Sequence, residues 1–277
     1  MSVFETIFLG LIQGLTEFLP ISSSGHLVVF QNLIGLKEPE LLLDCSLHLG
    51  TLLAVCIYFR SDVGLMVKEL WQLLTQTTKK LRDSGFSDPG VGLKKQYDYL
   101  VWWLLVGSVP AGIIGLFFRE PLENLFGSVS TVGIMLIITG IIVGLTRLMP
   151  EGYGTRTRIG LTVALAVGTA QGLAIVPGIS RSGATIVCGL LFGLDRELAG
   201  RFSFLLAIPA IIAALAIQIN LESLARVGFV PLLFGFIMSA LVGLVALKLL
   251  MGMVKKGNLY YFAPYCWVVG LLVLFFA

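Results

Sequence analysis

The sequence predicts an all-α polytopic membrane protein: six transmembrane helices plus two re-entrant helical hairpins, arranged as an inverted-topology repeat. Three observations predict it. Of the 277 residues 57% are hydrophobic and 13% charged, and the mean hydropathy of +0.95 lies far above that of a soluble domain of this length. Six stretches are long and apolar enough to cross a bilayer, which takes about 20 residues. Two further apolar regions are broken in the middle by Pro, Gly and Ser, and they match one another at a fixed offset of 158 residues.

The first broken region, 3–35, is interrupted at FLPISSSGH (18–26), where proline removes a backbone donor and glycine permits a turn. Its opening residues lack a basic segment and carry Glu5 and Glu17, so it is expected to be retained rather than removed as a signal peptide. Spans follow at 41–59, 99–118 and 129–148. The second broken region, 159–194, is interrupted at VPGISRSG (176–183) and precedes spans at 202–220, 229–251 and 259–277. Irregular backbone is tolerated at membrane depth only where protein or a watery cavity surrounds it, a condition that a re-entrant hairpin meets. The chain is expected to form one integral membrane domain with two halves, 1–148 and 149–277.

Orientation follows from the basic residues. The longest polar segment, 60–98, carries Arg60, Lys68, Lys79, Lys80, Arg82, Lys94 and Lys95 and is assigned to the cytoplasm. Segments 147–158 and 195–201 and the pair Lys255–Lys256 fall on the same side. Segments 119–123 and 222–226, with both termini, fall outside. A helix within 63–81 has the pattern of one lying on the membrane surface. The net charge of +3 is too small and scattered for a nucleic-acid footprint. Cys45, Cys56, Cys188 and Cys266 lie in apolar stretches without metal-ligand spacing and read as free thiols.

The repeat aligns Gln13-Gly14-Leu15 with Gln171-Gly172-Leu173, and Ile21-Ser22 and Ser24-Gly25 with Ile179-Ser180 and Ser182-Gly183. Each copy precedes three spans, and an odd number of crossings inserts the second copy upside down, the plan usual among transporters. The second half-helix of each hairpin starts after the serine-rich turn, so two helix N-termini converge in the membrane interior. Their N–H groups and dipoles form an anion site, beside which Ser22, Ser23, Ser180 and Ser182 cap or donate.

The copies differ where charge is carried: Glu17 stands opposite Ile175, His26 opposite Ala184, and Ser23 opposite Arg181. Ionised groups at this depth cost about 2.5–3.5 kcal/mol on insertion scales, so Glu17 and Arg181 are expected to be functional and paired. Gln13 and Glu17 share a helical face, and Ser23 and His26 follow in the turn. Together they supply a carboxylate base, a hydroxyl or imidazole nucleophile and a proton shuttle. Arg181 offers a planar fork suited to phosphate oxygens, with Ser180, Ser182 and Thr185 as further donors. His48 is a candidate partner outside this core set. The set fits phosphoryl transfer, while the architecture alone also fits a transporter or flippase of an anionic polyprenyl lipid.

The stretches QGLTEFLPISSSGH (13–26) and PGISRSGAT (177–185) resemble the (E/Q)xxxE motif with its following Ser/His and the PGxSRSxxT motif of the BacA-type undecaprenyl-diphosphate phosphatases, a resemblance that covers essentially the whole chain. It implies a bacterial inner-membrane enzyme that recycles the lipid carrier of peptidoglycan synthesis and confers bacitracin resistance, with its site toward the periplasm. It implies Gln13 and Glu17 as the acidic motif, Ser23 and His26 as the reactive turn, and Ser180, Arg181, Ser182 and Thr185 as diphosphate-binding; with the residue reading above, the expected catalytic set is Glu17, Ser23, His26 and Arg181, and the expected substrate-binding set Gln13, Ser22, Ser24, Ser180, Ser182 and Thr185. It also implies a divalent cation, Mg2+ or Ca2+, held by Glu17 with the diphosphate. Where family members carry glutamate at the first motif position this chain has Gln13, so Glu17 bears the carboxylate role alone. Ser23, His26 and water all stand as nucleophiles at this stage. The implied partners are the polyprenyl diphosphate lipid and the bilayer, with a homodimer left open and no nucleic acid.

Overall fold

The computed structural model describes residues 2–35, 41–75, 100–118, 125, 128–150, 152–218 and 228–276. Lys79, Lys80, Arg82, Lys94, Lys95 and segments 119–123 and 222–226, which entered the charge argument, lie outside the described residues. Eleven α-helices are present among the described residues: α1 (Val3–Phe18), α2 (Ser23–Leu33), α3 (Leu41–Tyr58), α4 (Arg60–Thr75), α5 (Leu100–Phe117), α6 (Val129–Gly144), α7 (Leu161–Leu173), α8 (Arg181–Leu191), α9 (Arg196–Gln218), α10 (Phe229–Lys256) and α11 (Phe262–Phe276). Among the described residues five helical stretches are long and apolar enough to span a membrane, and a sixth is counted if α3 and α4, bent by 93° at their junction, are taken as one span. The bend falls where the sequence turns polar at Arg60-Ser61-Asp62. From there α4 runs across the end of α3, and its buried Asp62 pairs with Arg201 of α9.

Local sequence explains the helix ends. A capping box of Ser2 and Glu5 opens α1, Ser128 caps α6, and α10 closes on Gly257 in the left-handed conformation after Lys255 and Lys256. The two broken regions each give a pair of half-helices packed on one another, α1 with α2 and α7 with α8. Ser22 accepts from Gly25 N–H and Ser180 from Gly183 N–H, the same cap at the repeat offset. Ser22 holds φ +67°, the only left-handed non-glycine among the described residues, whereas the second break places Gly178 at φ +96°.

The helix packing repeats the sequence relation. α1 lies along α10 and its counterpart α7 along α5, while α6 pairs with α11. The two breaks meet one another. A Cβ on Gly25 would sit 3.1 Å from Gly178 Cα, and one on Gly183 would sit 3.2 Å from Pro20 Cβ, two contacts exchanged by the 158-residue offset. At Gly183 the close atoms belong to the side chains of Val143, Pro20 and Ser180, whereas at Gly25 they include the Gly178 backbone, which yields less readily. Gly25→Ala is therefore expected to destabilise the protein by about 1–3 kcal/mol through overpacking, read as a lowered melting temperature in detergent.

Carbonyls freed by the breaks find partners inside the protein. Ser182 Oγ donates to Leu19 O at 3.4 Å, Cys266 Sγ to Pro20 O at 3.5 Å, and Thr139 Oγ1 to Gly178 O at 2.8 Å. Such pairing is what non-helical backbone requires inside a bilayer. None of the four cysteines is in a disulfide.

Candidate active site

The site gathers on the carboxylate of Glu17, at the last turn of α1. Gln13 stands one helical turn earlier on the same face, as the spacing requires, and its Nε2 donates to Glu17 Oε2 at 3.0 Å. The same carboxylate oxygen accepts from Ser23 Oγ at 2.6 Å, a length typical of a hydroxyl donating to an ionised acceptor. The other oxygen is bound by Arg181 Nη2. Ser23 and Arg181 are the first residues of α2 and α8. The buried charge, 3% exposed, is thus answered by one cation and by donors from two helix starts, where dipoles favour an anion. The predicted pairing of Glu17 with Arg181 is present.

His48, on α3, completes this cluster. Its Nδ1 contacts Gln13 Nε2 and lies 3.9 Å from Glu17 Oε2. Since Gln13 Nε2 carries two hydrogens, one serves the carboxylate and the other an unprotonated Nδ1. Gln13 Oε1 is left buried and without a hydrogen-bond partner.

His26 is placed differently. Its Nδ1 is 2.7 Å from Ser22 O and its Nε2 is 2.9 Å from Tyr265 Oη, so both ring nitrogens are engaged away from Glu17. The remaining predicted residues form a framework. Ser22 and Ser180 accept as caps and lie 3.3 Å and 3.2 Å from Ser24 Oγ and Ser182 Oγ respectively. Thr185, fully buried, turns its hydroxyl to Arg181 O at 2.7 Å and to Ser203 Oγ. The groups left partly exposed around the carboxylate are Ser23 and Ser24, the Arg181 side chain at 26% and the His48 side chain at 33%.

Two residues were absent from the sequence-derived set. Ser203, on α9, reaches the site through Thr185. Tyr265 arrives from α11, and the sole signal for it in the sequence is a hydroxyl-bearing ring in an otherwise apolar span. His48 had been held outside the core set, and the structure brings it against Gln13.

The arrangement presents a hydroxyl in contact with one oxygen of a buried carboxylate and a guanidinium on the other. Comparison with known proteins gives this geometry a context. The family model described as "Bacitracin resistance protein BacA" matches residues 6–272. The chain is 45% identical over 271 residues to the undecaprenyl-diphosphatase of Desulfatibacillum aliphaticivorans, covering 98% of this chain and 97% of that protein. It is 42% identical over 280 residues to the undecaprenyl-diphosphatase of Halothermothrix orenii, covering 100% and 99%. It is 37% identical over 276 residues to that of Methanobrevibacter smithii, covering 99% and 97%.

Proposed function

The chain belongs to the BacA family, and from that premise we infer that it is a multi-pass membrane hydrolase. It removes the terminal phosphate of undecaprenyl diphosphate, releases undecaprenyl phosphate for reuse in cell-wall synthesis, and confers bacitracin resistance. The observation that carries the chemical reading is the 2.6 Å contact from Ser23 Oγ to the Glu17 carboxylate. A carrier that only binds an anion needs donors; it does not need a base against a hydroxyl.

Arg181 cannot hold Glu17 and a phosphate with the same donors. When the diphosphate arrives, its charge draws the guanidinium off the carboxylate, and Glu17 is left free to take the Ser23 proton. Ser23 Oγ then forms a bond to the terminal phosphorus as the bridging P–O bond breaks and undecaprenyl phosphate leaves with the electron pair. Water next attacks the phosphoserine, Ser23 recovers its proton from Glu17, and inorganic phosphate departs. Arg181 and the first-turn N–H groups of α2 and α8 stabilise charge on the equatorial oxygens. His26, with both nitrogens occupied, is not the nucleophile in this scheme.

The chain's oxygens fit a divalent cation only in part. Among the described residues no group of three acidic, histidine or cysteine side chains converges. Glu17 is shared with Arg181, and Gln13 Oε1 is a buried oxygen without a partner beside it. Glu17 and Gln13 would hold Mg2+ or Ca2+ with the diphosphate supplying the remaining hard oxygen ligands. The cation would neutralise phosphate charge.

The site is read as opening to the periplasm. Support comes from basic residues gathered at the opposite end of the bundle: Arg196 beside Gly257, Lys255 2.9 Å from Glu197, and Arg147 over Tyr260.

The test is phosphate release from a polyprenyl diphosphate by the detergent-purified protein with Mg2+, Ca2+ or EDTA. Wild type is expected to turn over, and Ser23→Ala to lose about 10³-fold or more of kcat, as removal of a nucleophile does elsewhere. A trapped phosphoenzyme should survive acid and break in base. An acid-labile adduct, or Ser23→Ala at wild-type rate, overturns the assignment of Ser23.

A further inference from the structure

His26 and Tyr265 are separated by 239 residues of chain, yet the fold fixes one against the other. α11 is held to α6 along its length, and Cys266, next to Tyr265, donates to the carbonyl of Pro20 in the first break. His26 is buried and stands in the first turn of α2, just beyond that break. The two rings lie in an offset stack, 8° from parallel with their centroids 5.8 Å apart, and a hydrogen bond of 2.9 Å joins Nε2 and Oη.

The state of His26 follows from its other nitrogen. Nδ1 lies 2.7 Å from Ser22 O, and a carbonyl oxygen only accepts, so Nδ1 carries a hydrogen. In the neutral ring Nε2 is then the bare nitrogen and accepts from the Tyr265 hydroxyl. In the imidazolium Nε2 carries a hydrogen as well and donates to the same oxygen. A hydroxyl meets both demands by rotating its O–H, which a carbonyl, a carboxylate or an ammonium in its place does not do. The Ser22 carbonyl also accepts the His26 backbone N–H at 3.2 Å, and that local loop holds the ring at its base.

We propose that Tyr265 is a positioning residue for the hydrolysis: through its bond to Nε2 it fixes the tautomer and plane of His26, whose Nδ1 is held by the Ser22 carbonyl, and so it sets the first turn of α2 that carries Ser23 against Glu17. The proposal rests on the hydrolase reading above for its kinetic consequence, and on the hydrogen-bond pattern alone for its structural one.

Both parts are testable on the full-length protein. The chain has two histidines, so ¹⁵N-histidine NMR resolves them, with His48→Gln assigning the signals. In wild type, His26 should show a protonated Nδ1 and a hydrogen-bonded, unprotonated Nε2. In Tyr265→Phe the Nε2 signal should move while that of His48 stays. Tyr265 is 43% exposed, and loss of its hydroxyl should leave the melting temperature unchanged. Phosphate release by Tyr265→Phe should fall about tenfold in kcat, the upper range for one neutral hydrogen bond, with KM within about twofold. Introduced into His26→Gln, the same change should have no further effect, since the two residues act as one unit.

An unmoved His26 signal, a full kcat, or an equal loss in the His26→Gln background would overturn the proposal. So would a kcat loss accompanied by a lowered melting temperature. Silence of the wild-type enzyme toward polyprenyl diphosphate would overturn the hydrolase reading, and the kinetic role with it, whatever the NMR shows.

Discussion

Glu17→Gln should lower phosphate release by about 10²–10⁴-fold, the range that a positioned proton acceptor supplies, while the lipid diphosphate still binds. The substitution keeps the size of the side chain and one oxygen for the Ser23 hydroxyl. It removes the charge that receives the proton and that holds Arg181. Relieved of its carboxylate, Arg181 becomes available to phosphate before any ligand arrives, so affinity for the diphosphate measured in EDTA, where no cation bridges to Glu17, should be equal to or tighter than in wild type. Turnover under saturating substrate, measured beside equilibrium binding of the lipid, separates the two effects. Retained turnover, or loss of binding in step with turnover, would count against Glu17 as the base.

Arg181→Ala should damage more than chemistry. In the free protein the guanidinium neutralises a carboxylate that is 3% exposed, and breaking a buried pair from one side costs about 3–5 kcal/mol. The melting temperature in detergent is therefore expected to fall, along with affinity and turnover. Adding Glu17→Gln to Arg181→Ala removes the stranded charge, and the double variant should regain stability without regaining activity. A single variant as stable as wild type would mean that the carboxylate finds another partner or takes up a proton when the arginine is gone.

The broken helices were legible because their signals are local: proline at 20 and 177, glycine at 25, 178 and 183, and serine caps between them each act on the nearest few residues. The repeat was legible because it is a relation within the chain itself. The pairing of Glu17 with Arg181 could be anticipated from the expense of leaving either ion alone in the membrane. The duties of the serines were less legible, since a hydroxyl that caps a helix and one that meets substrate are the same residue type. Packing decided that Ser23 faces the carboxylate while Ser22 and Ser180 hold backbone. Tyr265 was not legible at all. It lies in a span whose composition marks it as lipid-facing, and its relation to His26 exists only once α11 is seated against the first break. His48 lay between these cases, with a residue type that suggested a role and no spacing that located its partner.

Ser23 and Arg181 occupy the same place in two copies of one hairpin, the first position of the helix after the break, and both converge on Glu17. A strictly two-fold molecule built on this scaffold would present two nucleophiles and no cation, or two cations and nothing to attack with. Under the mechanism proposed above, identical halves could bind an anion on their axis but would lack either the serine or the arginine. Division of labour between the copies is therefore a requirement of that mechanism, and joining both in one chain lets the two positions diverge independently.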